Sequence, residues 1–211
     1  MYTVMNYFWI FVVGCFFGSI LESIWCFILS GRMIKRRDLV YGYFTSMYGI
    51  AGVFITTMLD FNDDLNIGVI FLGAMVISGV IEYLTSLFLE KSFGLRFWDY
   101  TRIKPNIQGR VNLWYLIVFG VLGSIWGKYY SLLLSFISKL HGNLFIIITC
   151  LMIAFFILNF IMTGVIFYRY KKRREGEVAR CHFEKWLDLK YSNRNIKGIF
   201  PAAEVVGGII E

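Results

Sequence analysis

Residues 7–29 read YFWIFVVGCFFGSILESIWCFIL, an apolar run broken by one charge, Glu22. An α-helix rises 1.5 Å per residue, so about 20 such residues cross a hydrocarbon core roughly 30 Å thick. Four further stretches follow. Leu39 to Leu59 carries no charge and lies between Asp38 and Asp60; Ile67 to Leu89 carries only Glu82. Asn112 to Ser138 is interrupted by Lys128 alone, and Leu144 to Tyr168 is uncharged. Lipid offers no partner to backbone N–H and C=O groups, so these runs read as helices. They are continuously apolar rather than alternating, which argues against a β-barrel. The fold expected is an all-α, polytopic membrane bundle of five helices spanning 7–29, 39–59, 67–89, 112–138 and 144–168. A basic tail, residues 169–211, follows it.

Composition agrees. The chain has 211 residues, of which 58% are hydrophobic and 17% charged, with a mean hydropathy of +0.64. Soluble domains carry about a quarter charged residues, so a water-soluble enzyme and a disordered chain are both disfavoured. The formal charge of +7 is explained by where it sits. Arg32, Lys35, Arg36 and Arg37 follow the first run, while Asp60, Asp63 and Asp64 follow the second. Lys91, Arg96, Arg102, Lys104 and Arg110 follow the third, and Arg169 to Arg174 follow the last. Basic loops stay cytoplasmic. The N-terminus is therefore expected outside and the C-terminus in the cytoplasm, in the inner membrane, with only Lys128 and Lys139 of the 21 basic residues outside. This distribution needs no nucleic-acid partner; it favours contact with anionic headgroups at the inner face. The first run is too long for a cleavable signal peptide and lacks its basic region, so it is expected to remain as a span.

The two acidic residues inside the runs are the candidate ligand or ion site. Glu22 and Glu82 each lie seven residues before the cytoplasmic end of their run, about 10 Å inside that boundary. Gly14, Gly18 and Glu22 repeat at spacing four, as do Ala74, Ser78 and Glu82. That spacing keeps side chains on one helix face, and small residues there let helices approach. A charge in the hydrocarbon costs about 2.5–3.5 kcal/mol on insertion scales. Three roles would justify it: sharing a proton or cation, contacting a polar substrate or headgroup, or pairing with Arg32, Arg36, Arg37 or Arg110 to pin the helices. Lys128 sits in a related seam with Gly120 and Ser124, but toward the outer face and away from both carboxylates.

Other chemistry is sparse. No Gly-rich phosphate loop is present, so any ATP hydrolysis needs another subunit. His141 and His182 lie outside the runs without paired ligand spacing, and Cys181-His182 reads as an ordinary tail pair. No cofactor is implied. Ser19, Ser23, Ser78 and Ser86 read as packing residues, which leaves an intramembrane hydrolase or lipid-modifying enzyme as a minor alternative. The loop Glu90 to Val111 mixes basic residues with Phe93, Phe97, Trp98 and Tyr100, and is expected along the inner face. In the tail, Ala179, Phe183, Trp186 and Leu187 share one side of an amphipathic helix over 177–190, suited to an interface or a partner. No fold is assigned from Tyr191 onward.

Three motifs stand close together: Glu82-Tyr83-Leu84-Thr85-Ser86, Trp98-Asp99-Tyr100, and Asn106-Ile107-Gln108-Gly109-Arg110. With Gly18, Glu22 and Trp25 they resemble the bacterial membrane family named Putative ABC-transporter type IV, over roughly the first 130 residues. The stretch Tyr41 to Gly49 lacks the prolines of that family's pattern, which leaves the start of the second helix open. The resemblance implies a permease-type subunit working with a separate ATPase. It also implies a folded inner-face element built on Trp98, Asp99, Tyr100, Asn106, Gly109 and Arg110, with Asp99 beside Arg96, Arg102 or Arg110. The expected function is thus a transport component, alone as a homo-oligomer or with an ABC-type ATPase or other membrane subunit. The alternative is a non-transporting membrane module for lipid binding, sensing or assembly.

Overall fold

The structure, a computed structural model, describes residues 2–31, 33, 36–62, 65–140 and 142–206. It is all-α, with short two-residue strands only. In chain order the elements are α1 (Tyr2–Ser30), α2 (Ser46–Asp60), α3 (Ile67–Phe93), β1 (Leu95–Arg96), β2 (Asn106–Ile107), β3 (Val111–Asn112), α4 (Leu113–Ser138), α5 (Asn143–Arg174), α6 (His182–Lys190), α7 (Asn193–Ile199) and β4 (Glu204–Val205). Four helices, α1, α3, α4 and α5, are long and apolar enough to cross a membrane. Their outward faces carry Leu72, Val76, Val80, Phe88, Leu132, Leu151 and Leu158, all well exposed. Water would penalise an apolar surface this large, and a bilayer would not. The chain is a membrane protein.

Close backbone contact builds the bundle. A Cβ on Gly49 would lie 2.4 Å from Cys15 Sγ and 2.5 Å from the Phe11 carbonyl oxygen, and one on Gly14 would lie 3.0 Å from Gly49 Cα. Helices α1 and α2 therefore touch where neither has a side chain. Gly123 likewise receives Ala74, joining α3 to α4. The seam predicted on α1 thus packs on α2, and the one predicted on α3 packs on α4.

The helix expected from Leu39 begins only at Ser46. Its 15 residues span about 22 Å, short of the hydrocarbon thickness. Local chemistry explains the late start. The Ser46 N–H donates to Asp38 Oδ2 at 2.7 Å, so a carboxylate sits on the first turn of α2. Upstream, Asn159 of α5 clamps the Tyr41 backbone: the Tyr41 N–H donates to Asn159 Oδ1 at 3.1 Å, and Asn159 Nδ2 donates to the Tyr41 carbonyl at 2.8 Å. Thr163 Oγ1 accepts from the Val40 N–H. Gly42 turns the chain at φ 81°. The Thr45 N–H donates to the Cys15 carbonyl, halfway along α1. Residues 36–45 are therefore irregular backbone beside the helices, held by hydrogen bonds from α1 and α5, with Tyr41, Gly42 and Tyr43 on its exposed side.

Loops, strands and tail gather at one end, here the basic end. Strand β1 pairs with β4 antiparallel, Leu95 opposite Val205, and β2 pairs with β3. The last turn of α5 caps α3: Arg174 donates to the Phe93 carbonyl at 2.6 Å and Lys171 to the Ser92 carbonyl at 3.1 Å. These cations meet the negative end of the α3 dipole. Asp188 on α6 accepts from Arg169 and Arg173, at 2.7 Å from each. One apolar core joins Val40, Leu89, Leu95, Phe97 and Phe167 to Leu187, Ile196 and Phe200 of the tail. The stretch after Tyr191, which had no predicted fold, is held there as α7 and β4. Helix α6 starts at His182, later than the expected 177, with Leu187 buried and Phe183 and Trp186 exposed.

Candidate functional site

Tyr48, on the first turn of α2, is where the candidate residues meet. Gly18 makes room for it: a Cβ there would lie 2.2 Å from the Tyr48 ring. A small gap of about 20 Å³ on one side of Tyr48 is lined by Ser78, Glu82 and Phe119. On another side lies a cavity of about 430 Å³ lined by Glu22, Arg36, Trp25, Trp98, Tyr100 and Tyr115, among others. A smaller space of about 210 Å³, bordered by Gly18, Ser78, Gly123 and Tyr129, shares Leu21, Tyr48, Phe119 and Leu122 with that cavity. Gly18, Glu22, Ser78 and Glu82 thus surround one tyrosine.

The partners of the two carboxylates differ. Glu82 is 2% exposed. Its Oε1 accepts from the Tyr100 hydroxyl at 3.0 Å, and its Oε2 is buried with no hydrogen-bond partner among the described residues. Burial, and then the Glu82 carboxylate, hold the Tyr100 hydroxyl above its ordinary range, so Tyr100 stays a donor. Glu22 is more open, with 19% of its side chain exposed. It faces Arg36 at 3.8 Å, an ion pair too long for a hydrogen bond. Arg36 instead donates to the Phe97 carbonyl and to Cys26 Sγ. Of the other arginines considered for pinning, Arg37 reaches the Ile199 carbonyl and Arg110 reaches Glu90, while Arg32 lies outside the described residues. Lys128 lies over the Tyr129 ring.

The loop between α3 and α4 is folded tightly. The Asp99 carboxylate accepts from Arg96 at 3.3 Å and from the Thr101 N–H at 2.9 Å. Trp98 Nε1 donates to the Arg110 carbonyl at 2.8 Å, and the Tyr100 N–H to the Gly109 carbonyl at 2.8 Å. Asn106 Oδ1 accepts from the Gly109 N–H, and Gly109 turns at φ 68° where a Cβ would strike Thr101 and Asp99. Buried Arg110 donates to Ser86 at 3.1 Å and pairs with Glu90 at 2.9 Å. The consequence is positional: Trp98 and Tyr100 are delivered to the floor of the cavity, and Tyr100 to Glu82. Tyr100 stacks on Tyr115 of α4 at 4.7 Å, and Trp25 of α1 meets Tyr115 edge-on at 6.4 Å.

Reading the sequence alone misses Tyr48, Tyr115 and Asp38. Tyr48 and Tyr115 come from different helices and share no periodicity with the carboxylates. Asp38 carried the one usable signal, an acidic residue ahead of an apolar run. Among the described residues no three His, Cys, Asp or Glu side chains gather as a metal site.

The chain belongs to the family described as Putative ABC-transporter type IV, which matches residues 9–164. No curated protein and no solved structure matches it.

Proposed function

We propose that this protein is the membrane-embedded subunit of a transport system, with a polar site set between Glu22 and Glu82. Residues 1–168 cross the inner membrane five times, counting the broken 36–60 segment as one crossing, with the N-terminus outside. Residues 169–211 lie on the cytoplasmic face. The alternation of basic and acidic loops supports this orientation. The family supports an ABC-type partner, because nothing in the chain resembles a nucleotide-binding loop. The observation that carries the reading is the cavity itself. Among the described residues, the carboxylate of Glu22 faces it without a hydrogen bond, and that of Glu82 lies behind Tyr48 with one oxygen unpartnered. A purely structural pair would be satisfied by the protein.

The folded 95–112 element and the docked tail form a continuous surface at the basic end, suited to an ATPase, to a second copy or to anionic headgroups. Two measurements test the proposal. A membrane-impermeant thiol reagent on intact cells should label Ser138→Cys and leave Cys181 unlabelled; the reverse overturns the orientation. Affinity purification of the full chain from native membranes should bring down an ATP-binding subunit. A chain that purifies without one, and whose deletion changes no flux, is a binding module and not a transporter.

A further inference from the structure

We infer that the cleft between α1 and α4 is a binding site for one phospholipid with a zwitterionic headgroup. The ammonium lies beside Glu22 and the aromatic rings, the phosphate beside Arg36, and an acyl chain lies in the smaller space beside Gly18. This names the ligand class of the site proposed above and rests on that reading only for the cleft being a ligand site.

Charge complementarity selects the headgroup. The cavity of about 430 Å³ presents one side chain of each sign, Glu22 and Arg36, both partly exposed and 3.8 Å apart. A pair made for its own sake would close to hydrogen-bonding distance. Among the described residues no hydrogen bond reaches the Glu22 carboxylate or the Tyr48 and Tyr115 hydroxyls, so the cleft holds acceptors and donors that the fold leaves unused. Trp25, Trp98, Tyr100 and Tyr115 line the space, and aromatic rings attract an ammonium group. A purely anionic head would meet Glu22, and a purely cationic one would meet Arg36. A head carrying both charges meets neither repulsion.

The shape selects an amphiphile. The rim is formed by Leu21, Ile24 and Ile28, at 45%, 45% and 68% exposure on the lipid side of α1. A molecule already in the bilayer therefore enters sideways without leaving it. The smaller space of about 210 Å³ shares Leu21 and Leu122 with it and is largely apolar, bordered by Gly18, Gly52 and Gly123. Both volumes together fall in the range of small-molecule sites, which is roughly 300–1,000 Å³.

The test uses the full chain in bilayers of equal parts phosphoethanolamine and phosphoglycerol lipid, released and weighed by native mass spectrometry. It requires neither ATPase nor flux, so its failure and the failure of the transport reading are separable. One zwitterionic lipid should be retained per chain, favoured over the anionic lipid about fivefold or more. Glu22→Gln should bring that preference below about twofold. Leu122→Trp, which fills the neck of the cleft, should remove the retained lipid. An anionic preference, or a zwitterionic preference that survives Glu22→Gln, overturns the inference. If Glu22→Gln does not fold, Leu122→Trp decides alone: unchanged retention of zwitterionic lipid overturns it.

Discussion

Removing the Tyr100 hydroxyl should destabilise the protein through Glu82 alone. Tyr100→Phe keeps the ring and its stacking on Tyr115 at 4.7 Å, and deletes the donor to Glu82 Oε1 at 3.0 Å. Glu82 is 2% exposed and its other oxygen already has no partner among the described residues, so the carboxyl group loses its hydrogen bond and gains no water. Orphaning a buried polar group costs about 1–3 kcal/mol, or roughly 5- to 150-fold in the unfolding constant. Glu82→Leu should cost a comparable amount, because it orphans the tyrosine hydroxyl instead. The double variant replaces both partners by apolar groups and should lose much less than the sum, with a coupling of about 1–3 kcal/mol. Unfolding of the four chains by denaturing detergent, followed by tryptophan fluorescence, measures all corners of the cycle. Additive losses would refute the reasoning, since they would mean that the two groups do not rely on each other.

Three further outcomes are expected. Gly49→Ala places a methyl 2.4 Å from Cys15 Sγ and 2.5 Å from the Phe11 carbonyl oxygen, and should destabilise by about 1–3 kcal/mol; a melting temperature at or above that of the parent contradicts the α1–α2 contact. Asn159→Ala removes both bonds to the Tyr41 backbone and should cost about 2–4 kcal/mol, with amide exchange accelerated across residues 40–46; unchanged exchange there rejects the clamp. Arg169, and then Arg173, hold the Asp188 carboxyl below its usual range. The stabilisation is therefore present above the unfolded value near 4 and is lost as pH falls through the lower folded value. Exchange at α6, taken relative to the intrinsic amide rate at each pH, should stay flat between about pH 5 and 7 and rise below about 4. Asp188→Asn should raise it at neutral pH and remove most of that acid response.

The long helices were legible because lipid imposes a simple rule: an unbroken apolar run is helical. The rule failed at Leu39 to Thr45, which is as apolar as its neighbours yet irregular, because Asn159 and Thr163 supply bonds from more than a hundred residues away. The order after Tyr191 was equally hidden. Ile196 and Phe200 are ordered by Leu95, Phe97 and Phe167, and no local pattern announces such contacts. Within the site, Glu22 and Glu82 stood out as charges in a setting that penalises them. Tyr48, Tyr115 and Asp38 did not, since tyrosine is ordinary at a membrane boundary and Asp38 lay just outside the apolar run.

The pairing of Leu95 with Val205 sets an order of events during synthesis. A ribosome delivers one half of this clasp more than a hundred residues before the other. Until the later half emerges, β1 lacks its strand partner, while bonds to Phe97, Tyr100 and Arg110 from residues already made hold the loop that carries Trp98 and Tyr100. Translation cut short before Glu204 would thus yield a chain whose β1 never gains its second strand and whose tail never closes over it.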